Sequence, residues 1–162
     1  MPDPNQIVLK KETYLKMVEN SPGSRMFNSV YVLHKDTGKI EDILHDGEFS
    51  CATFVSSVLF VIGMTDAPCV TVDTMRKKLA SDLRWKQVNG FENVEPGDVV
   101  FWEKIKFADG SENEHVGFAL NKNEAVSTSD TERKVVRHDL ACLEKSANNK
   151  PRAITSLFRY NF

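Results

Sequence analysis

Apolar residues recur at helical spacing in one stretch of the first half of the chain, residues 50–63. Positions 51, 54, 55, 58, 59 and 62 form the stripe, and two more apolar residues at 60 and 61 widen it until the segment is apolar nearly all round. Ser50 is a candidate N-cap, and Gly63 can adopt the left-handed conformation that ends a helix. The pattern predicts one buried, central helix that carries Cys51 in its first turn.

Weaker patterns predict two further helices and a series of strands. One short helix is expected over 11–20, and a surface helix capped by Thr71 is expected over 72–84, with an apolar stripe of Val72, Met75, Leu79 and Leu83. Strands are expected over 28–33, 40–44, 99–105, 115–120, 124–129, 134–138 and 153–160. Because strands dominate after the helices, the order indicates an α+β fold in which the central helix packs on an antiparallel sheet of about five to six strands.

Length, composition and charge narrow the class of protein. The 162 residues suit one domain, so we expect residues 1–162 to form a single unit in which 1–24 are a lead-in with a helix. A net charge of −2 gives no sign of a basic face for nucleic acid. The first residues lack the basic segment and long apolar run of a secretory signal, so we expect none, and the longest apolar run, 58–62, is too short to span a membrane. We therefore expect a cytoplasmic protein with neither nucleic-acid nor membrane partners.

Cysteine is the residue type with the clearest chemical potential. The three cysteines, at 51, 69 and 142, are an odd number without metal-ligand spacing, so we expect no disulfide framework, no metal and no other cofactor. Cys51 differs from the other two because the unpaired N–H groups and positive dipole of a helix N-terminus favour a thiolate. We expect its pKa to lie below the ordinary value of about 8.5. The alternative is that Cys51 is only a core residue.

The strand over 115–120 carries a histidine among very small residues. His115, Gly117 and Ala119 share one face, and such a face lets another element approach closely. We expect that element to be the central helix, which would bring the Cys51 thiol to the His115 imidazole. The alternative is a solvated histidine at a strand end.

The register of the next hairpin places hydroxyl groups beside this histidine. If 121–123 form its loop, residue 129 lies opposite 115 and residue 127 opposite 117. Ser127 is then diagonal to His115, and Ser129 is directly across from it. A polar group in this place can hold the second imidazole nitrogen and fix the tautomer.

Three motifs follow one another in a specific order. They are Cys51-Ala52-Thr53-Phe54-Val55 at the head of a helix, Glu95-Pro96-Gly97-Asp98-Val99-Val100-Phe101-Trp102 leading into a strand, and His115-Val116-Gly117-Phe118 opening the next strand. Over roughly residues 25–160 this arrangement resembles the NlpC-type cell-wall peptidases and the related CHAP amidases, a branch of the papain-like cysteine peptidases. The resemblance implies a papain-like fold.

The resemblance also implies roles for single residues. Cys51 would be the nucleophile, His115 the general base, and Ser127, twelve positions later, the third residue of the triad. Tyr31 would line the substrate cleft. The family usually has His, Asn or Gln as the third residue, so the shorter Ser127 leaves other candidates open, namely Ser129, Asp130 and His138.

Two functions from different classes follow from these observations. The first is a cysteine hydrolase that cleaves an amide bond, in the simplest case in a peptidoglycan-type peptide, or transfers the acyl group through the same thioester. The alternative is a degenerate, non-catalytic papain-like module that binds a peptide or a partner protein in the old cleft.

Overall fold

Three helices and eight strands form an α+β fold in the part of the chain that the computed structural model describes, which is residue 3 and residues 5–106, 110, 112–142 and 151–162. The helices are α1 (Lys10–Glu19), α2 (Cys51–Val61) and α3 (Val72–Ser81). The strands are β1 (Tyr31–Leu33), β2 (Ile40–Asp42), β3 (Trp85–Gln87), β4 (Val99–Lys106), β5 (Glu112–Ala119), β6 (Glu124–Ser129), β7 (Lys134–Asp139) and β8 (Ile154–Tyr160). None of the helices in these ranges is long and apolar enough to cross a membrane.

Two antiparallel sheets organise the strands. β1 and β2 form a separate hairpin, and the other six strands lie in the order β3-β8-β4-β5-β6-β7. The hairpin register predicted for β5 and β6 is confirmed at the two residue pairs of their ladder, Phe118 opposite Val126 and Ala119 opposite Ala125. The expected α+β class and the antiparallel sheet are therefore confirmed.

Most predicted elements are confirmed, although some bounds differ: β5, for example, begins at Glu112 and not at residue 115. The strand expected over 28–33 is reduced to three residues, and β3 was not predicted because three residues give too short a pattern. Leu83 does not continue the stripe of α3: the helix ends at Ser81, Asp82 is extended, and Leu83 is 96% exposed. The loop expected around residues 108–111 lies outside the described residues except for Gly110.

The ends of α2 show which capping predictions hold. Gly63 has a φ of 69°, and its N–H donates to Phe60 while the Met64 N–H donates to Leu59, which is a Schellman ending. The predicted cap at the other end is wrong, because the Ser50 hydroxyl donates to the Gly47 carbonyl, 2.9 Å away, and makes no cap hydrogen bond. No serine oxygen therefore occupies the N–H groups beside Cys51.

The turn before β4 connects distant parts of the fold. Asp98 is 1% exposed and accepts from the Arg159 guanidinium on β8 at 2.7 Å, while its other oxygen accepts from the Glu95 N–H at 2.9 Å. The Tyr14 hydroxyl of α1 donates to the Gly97 carbonyl at 2.6 Å. The Pro-Gly-Asp turn thus has a structural role, since it ties α1 and β8 to the start of β4.

The two faces of the six-stranded sheet have different partners, and the prediction of the helix-bearing face is wrong. α2 packs on the face that carries Val116 and Phe118, where Phe54 contacts Phe118 with ring centroids 5.5 Å apart. Ala119 lies on the opposite face, in a second buried cluster with Trp102. The small residues of β5 therefore do not receive the helix.

Gly117 lies where β6 and the indole of Trp102 come too close to β5 for a larger side chain. A Cβ at this position would lie 2.4 Å from the Val126 carbonyl oxygen, 2.9 Å from the Ser127 Cβ and 3.1 Å from the Trp102 ring. The closest atom belongs to the backbone and cannot rotate away. The glycine thus allows β6 and Trp102 to close over the face that carries His115.

We predict that Gly117→Ala destabilises the fold by at least about 2–3 kcal/mol, because overpacking against rigid neighbours forces the strands apart. Urea unfolding of the variant and the parent protein measures the change. Gly38→Ala is the control: its Cβ would meet nothing within 4 Å, although φ is +69°, so only the backbone penalty of about 1–2 kcal/mol applies. Equal losses at the two positions would contradict the close approach at Gly117.

Candidate active site

The head of α2 lies where the ladder between β5 and β6 ends. Beyond the pair Phe118–Val126, the backbone N–H of Val116 lies near the sulfur of Cys51 and acts to lower the pKa of the thiol. The N–H groups of Cys51 and Ala52, in the first turn of α2, also point to the sulfur. Cys51 is therefore held between a helix N-terminus and the strand that carries His115.

Cys51 and His115 line one cavity of about 350 Å³. They are 9% and 8% exposed, so each is almost buried but reaches this space. Both residues that the sequence predicted therefore lie on the wall of one cavity, although by a different packing from the expected one. The other ionisable residues along the wall are Glu48, Asp73, Lys104, Glu114, Asp130 and Arg152.

Burial decides the protonation of the thiol. Burial raises the pKa of Cys51 to about 11, although the nearby backbone N–H groups and the charge of Arg152 act in the opposite direction. The expected lowering of its pKa is wrong, because the favourable helix end does not outweigh desolvation of the thiolate. At neutral pH the resting residue is a neutral thiol.

The imidazole of His115 is also neutral. Burial lowers its pKa well below the ordinary value, and the positive charges of Arg152 and of a protonated His138 would lower it further. Its Nε2 lies 2.8 Å from the Ser127 Oγ, so the predicted diagonal contact with Ser127 is present. Ser127 engages Nε2, and Nδ1 is the ring nitrogen that this contact does not use.

The other candidates for the third position lie in different places. The Ser129 hydroxyl contacts the Thr131 hydroxyl at 3.1 Å and accepts from the Glu132 N–H, which stabilises the β6–β7 turn. Asp130 lines the cavity. His138 lies behind Ser127, with its Nε2 2.7 Å from the same hydroxyl oxygen. Ser127 therefore stands between two histidines.

Trp102 holds both histidines and was not predicted to do so. Its ring centroid lies 5.6 Å from that of His115 and 5.7 Å from that of His138, and its indole N–H donates to the Leu140 carbonyl at 2.9 Å. The register pairs Trp102 directly with His115 across β4 and β5. Aligning these two predicted strands could have revealed the contact from the sequence.

Arg152 was also missed, and no local pattern would have found it. It is 3% exposed and lines the cavity, while its Nη1 donates to the Asn113 carbonyl at 3.0 Å and to the Glu103 carbonyl at 3.4 Å. Its positive charge favours a thiolate at Cys51 and disfavours an imidazolium at His115. Arg152 thus acts on the charges of both candidate residues.

The loop before α2 is fastened to the β6–β7 turn. Arg133 donates to the His45 carbonyl at 2.5 Å and pairs with Glu48 at 3.1 Å, and the Asn28 side chain donates to the Arg133 carbonyl at 2.7 Å. Gly47 has a φ of +95°, and a Cβ there would lie 2.7 Å from Asn28. These contacts fix the approach of the chain to Cys51.

Tyr31 lies away from the cavity. It is 70% exposed on β1, paired with Asp42, and is not among the described residues that line the space at Cys51. Its role in substrate binding stays a prediction without support from this cavity. No group of residues suited to hold a metal ion occurs in the described ranges.

Comparisons with known proteins do not extend these observations. No protein-family model matches the chain, and a search of curated proteins finds no match. Arguments about function therefore depend on the residues and geometry of the cavity itself.

The raised thiol pKa gives a prediction for chemical labelling. Because only the thiolate reacts, we expect alkylation of Cys51 by iodoacetamide to accelerate by roughly tenfold per pH unit from pH 7 to 10. Mass spectrometry of the peptide that contains Cys51 follows the reaction. The urea-unfolded chain is the control and levels off above pH ~8.5. A plateau below pH 8 in the folded protein would contradict the neutral resting thiol.

Stability should decline on both sides of neutrality. The lowered pKa of His115 and of His138 means that the unfolded chain binds protons that the folded chain does not, so the free energy of unfolding falls as pH drops below ~6.5, by up to about 1.4 kcal/mol per unit for each histidine. The raised pKa of Cys51 has the opposite effect on stability. Because the unfolded chain loses the thiol proton first, the free energy of unfolding falls as pH rises from ~8.5 towards about 11.

Urea unfolding between pH 5 and 10 measures both slopes. We expect His115→Gln to reduce the slope between pH 5 and 6.5, and Cys51→Ala to reduce the slope above pH 8.5, each without effect on the other limb. A parent protein of constant stability from pH 5 to 6.5 would show that the histidines are not buried in neutral form.

Proposed function

We propose that the protein is a papain-like cysteine hydrolase that cleaves an amide bond, with Cys51 as nucleophile and His115 as general base. The observation that carries the proposal is the shared cavity: a thiol at a helix N-terminus and an imidazole whose Nε2 is already held by Ser127 open on the same space. With Nε2 engaged, Nδ1 is the nitrogen that would take the thiol proton, which is the role of a general base in nucleophilic catalysis.

The first half-reaction forms a thioester. As the Cys51 sulfur attacks the carbonyl carbon of the substrate, its proton passes to Nδ1 of His115, and the carbonyl oxygen becomes an oxyanion. The N–H groups at the head of α2 are suited to bind this oxyanion, because Ser50 does not cap them. The imidazolium then gives its proton to the nitrogen of the leaving amine as the C–N bond breaks.

The second half-reaction restores the enzyme. The neutral imidazole takes a proton from water as the hydroxide adds to the thioester carbonyl, and it returns that proton to the sulfur as the C–S bond breaks. The products are an amine and a carboxylic acid. An amine that replaces the water in this step would give acyl transfer in place of hydrolysis.

A short peptide is the substrate class that best suits the cavity. A volume of about 350 Å³ lies in the range of small-ligand sites. Acidic side chains at Glu48, Asp73, Glu114 and Asp130 share the wall with Lys104 and Arg152, which suits a substrate that carries charges of both signs. The motif resemblance favours a peptidoglycan-type peptide within this class.

The raised thiol pKa supports a second candidate function. A thiol that remains protonated up to about pH 11 is also what a non-catalytic cavity would contain. In that case the chain would bind a peptide or a partner protein in the same space without a covalent step.

We predict that Cys51→Ala abolishes cleavage while the fold and peptide binding remain. Incubation with synthetic peptidoglycan stem peptides and ordinary L-peptides, analysed by mass spectrometry, measures cleavage, and isothermal titration measures binding. Cys69→Ala is the matched control, since Cys69 is equally buried but lies outside the cavity. Cleavage that survives in Cys51→Ala would contradict the mechanism, and binding without cleavage by the parent protein would favour the second candidate.

A further inference from the structure

A chain of hydrogen bonds runs behind His115 through three neighbouring strands. The His115 Nε2 of β5 contacts the Ser127 Oγ of β6 at 2.8 Å, which contacts the His138 Nε2 of β7 at 2.7 Å. The chain ends where the His138 Nδ1 lies 2.7 Å from the backbone carbonyl oxygen of Asp139. Ser127 is 1% exposed, so its hydroxyl depends on these partners.

The last contact fixes the tautomer of a neutral His138, and the other protons in the chain follow from that tautomer. A carbonyl oxygen only accepts, so the Nδ1 of His138 must donate to it. Burial keeps His138 neutral by lowering its pKa, and its Nε2 therefore carries a lone pair. The Ser127 hydroxyl must then donate to that lone pair, and its oxygen accepts from Nε2–H of His115. In a neutral His115 the proton is on Nε2 and the lone pair is on Nδ1.

We propose that His138 is a positioning residue that sets the tautomer of His115 through Ser127. The inference rests on the proposed function for its use in catalysis, because Nδ1 is the nitrogen that would take the Cys51 proton. Ser127 is then a relay between two imidazoles and not the end of a triad. His138 touches neither the substrate nor the reacting sulfur.

The packing of the chain supports this role. Trp102 lies against both imidazoles and holds their planes in place. When Nδ1 of His115 receives a proton, the bond from Nε2–H to Ser127 keeps its direction, so the relay needs no rearrangement during the reaction. Without His138, the Ser127 hydroxyl loses its acceptor and can turn to donate to Nε2, which favours the tautomer with Nδ1 already protonated.

The tautomers can be observed without a substrate. Long-range ¹H–¹⁵N correlation spectra of the full chain, with ¹⁵N-labelled histidine, distinguish protonated from bare ring nitrogens at neutral pH. We expect a proton on Nε2 of His115 and on Nδ1 of His138. The chain has four histidines, and His34→Gln and His45→Gln assign the other two signals. A parent protein with the Nδ1–H tautomer at His115 would overturn the relay.

Three variants then test the coupling. His138→Phe should shift His115 towards the Nδ1–H tautomer, and Ser127→Ala should release it in the same way. His138→Gln is the conservative variant, because its amide oxygen can accept from Ser127 and should retain the parent tautomer. An unchanged His115 spectrum in both Ser127→Ala and His138→Phe would overturn the inference. If His138→Phe does not fold, the parent spectrum and Ser127→Ala still decide.

Kinetics with a cleaved peptide provide the second readout. We expect His138→Phe to lower kcat by about 10- to 100-fold with KM nearly unchanged, since a misplaced general base costs turnover and not binding. Ser127→Ala should lose a similar factor, and the double variant should lose little more than either single one. Additive losses, or losses in KM alone, would overturn a relay.

The two proposals fail separately. If no peptide is cleaved by the parent protein, the hydrolase proposal fails, while the ring-nitrogen spectra continue to test the relay. If the spectra contradict the relay but Cys51 and His115 are both required for cleavage, the hydrolase proposal stands without a role for His138.

Discussion

The contact between Phe54 and Phe118 fixes the geometry on which the rest of the molecule depends. Their rings meet edge to face at 5.5 Å, and both side chains are fully buried. Phe54 lies one helical turn after Cys51, and Phe118 lies two residues after Val116, whose N–H reaches the sulfur. Because a helix and a strand are both stiff, this contact holds the thiol against β5. Phe27 and Tyr14 extend the same ring cluster, at 5.2 Å and 5.8 Å.

A single step along β5 separates two different environments. Val116 faces the apolar cluster under α2, and His115 faces Trp102 and Ser127 on the other side of the sheet. On the side of Val116 the packing needs only buried apolar surface. On the side of His115 each buried polar atom needs a hydrogen-bond partner, since an unpaired one costs about 1–3 kcal/mol. The strand can serve both sides because its side chains alternate.

Local patterns predicted most of the elements and the pairing of β5 with β6, but not the packing of the sheet. The pair Ala119–Ala125 and the contact from His115 to Ser127 follow from a hairpin register that the sequence contains. Gly117 indicates that another element approaches closely but does not identify that element, and the prediction that it is α2 was wrong. The pKa of Cys51 was mispredicted for a similar reason. Its position at a helix N-terminus follows from neighbouring residues, whereas its burial depends on packing by the whole fold. Arg152 reaches the cavity from a distant segment, where no pattern marks it.

The cost of desolvation explains why a neutral thiol and a neutral imidazole suit a cavity whose side chains are nearly buried. A resting thiolate beside an imidazolium would place two charges in side chains that are less than a tenth exposed, and their attraction would have to exceed the cost of leaving water. The rise of the Cys51 pKa to about 11 corresponds to about 3 kcal/mol against the anion.

In the proposed reaction that anion never forms alone. The proton leaves as the sulfur bonds to carbon, and the negative charge passes to an oxygen that faces the N–H groups at the head of α2. The helix end then stabilises the transition state more than the resting thiol, which is the condition for faster chemistry at a given affinity. A relay that keeps Nδ1 of His115 unprotonated contributes to the same end, because the base is ready without first losing a proton.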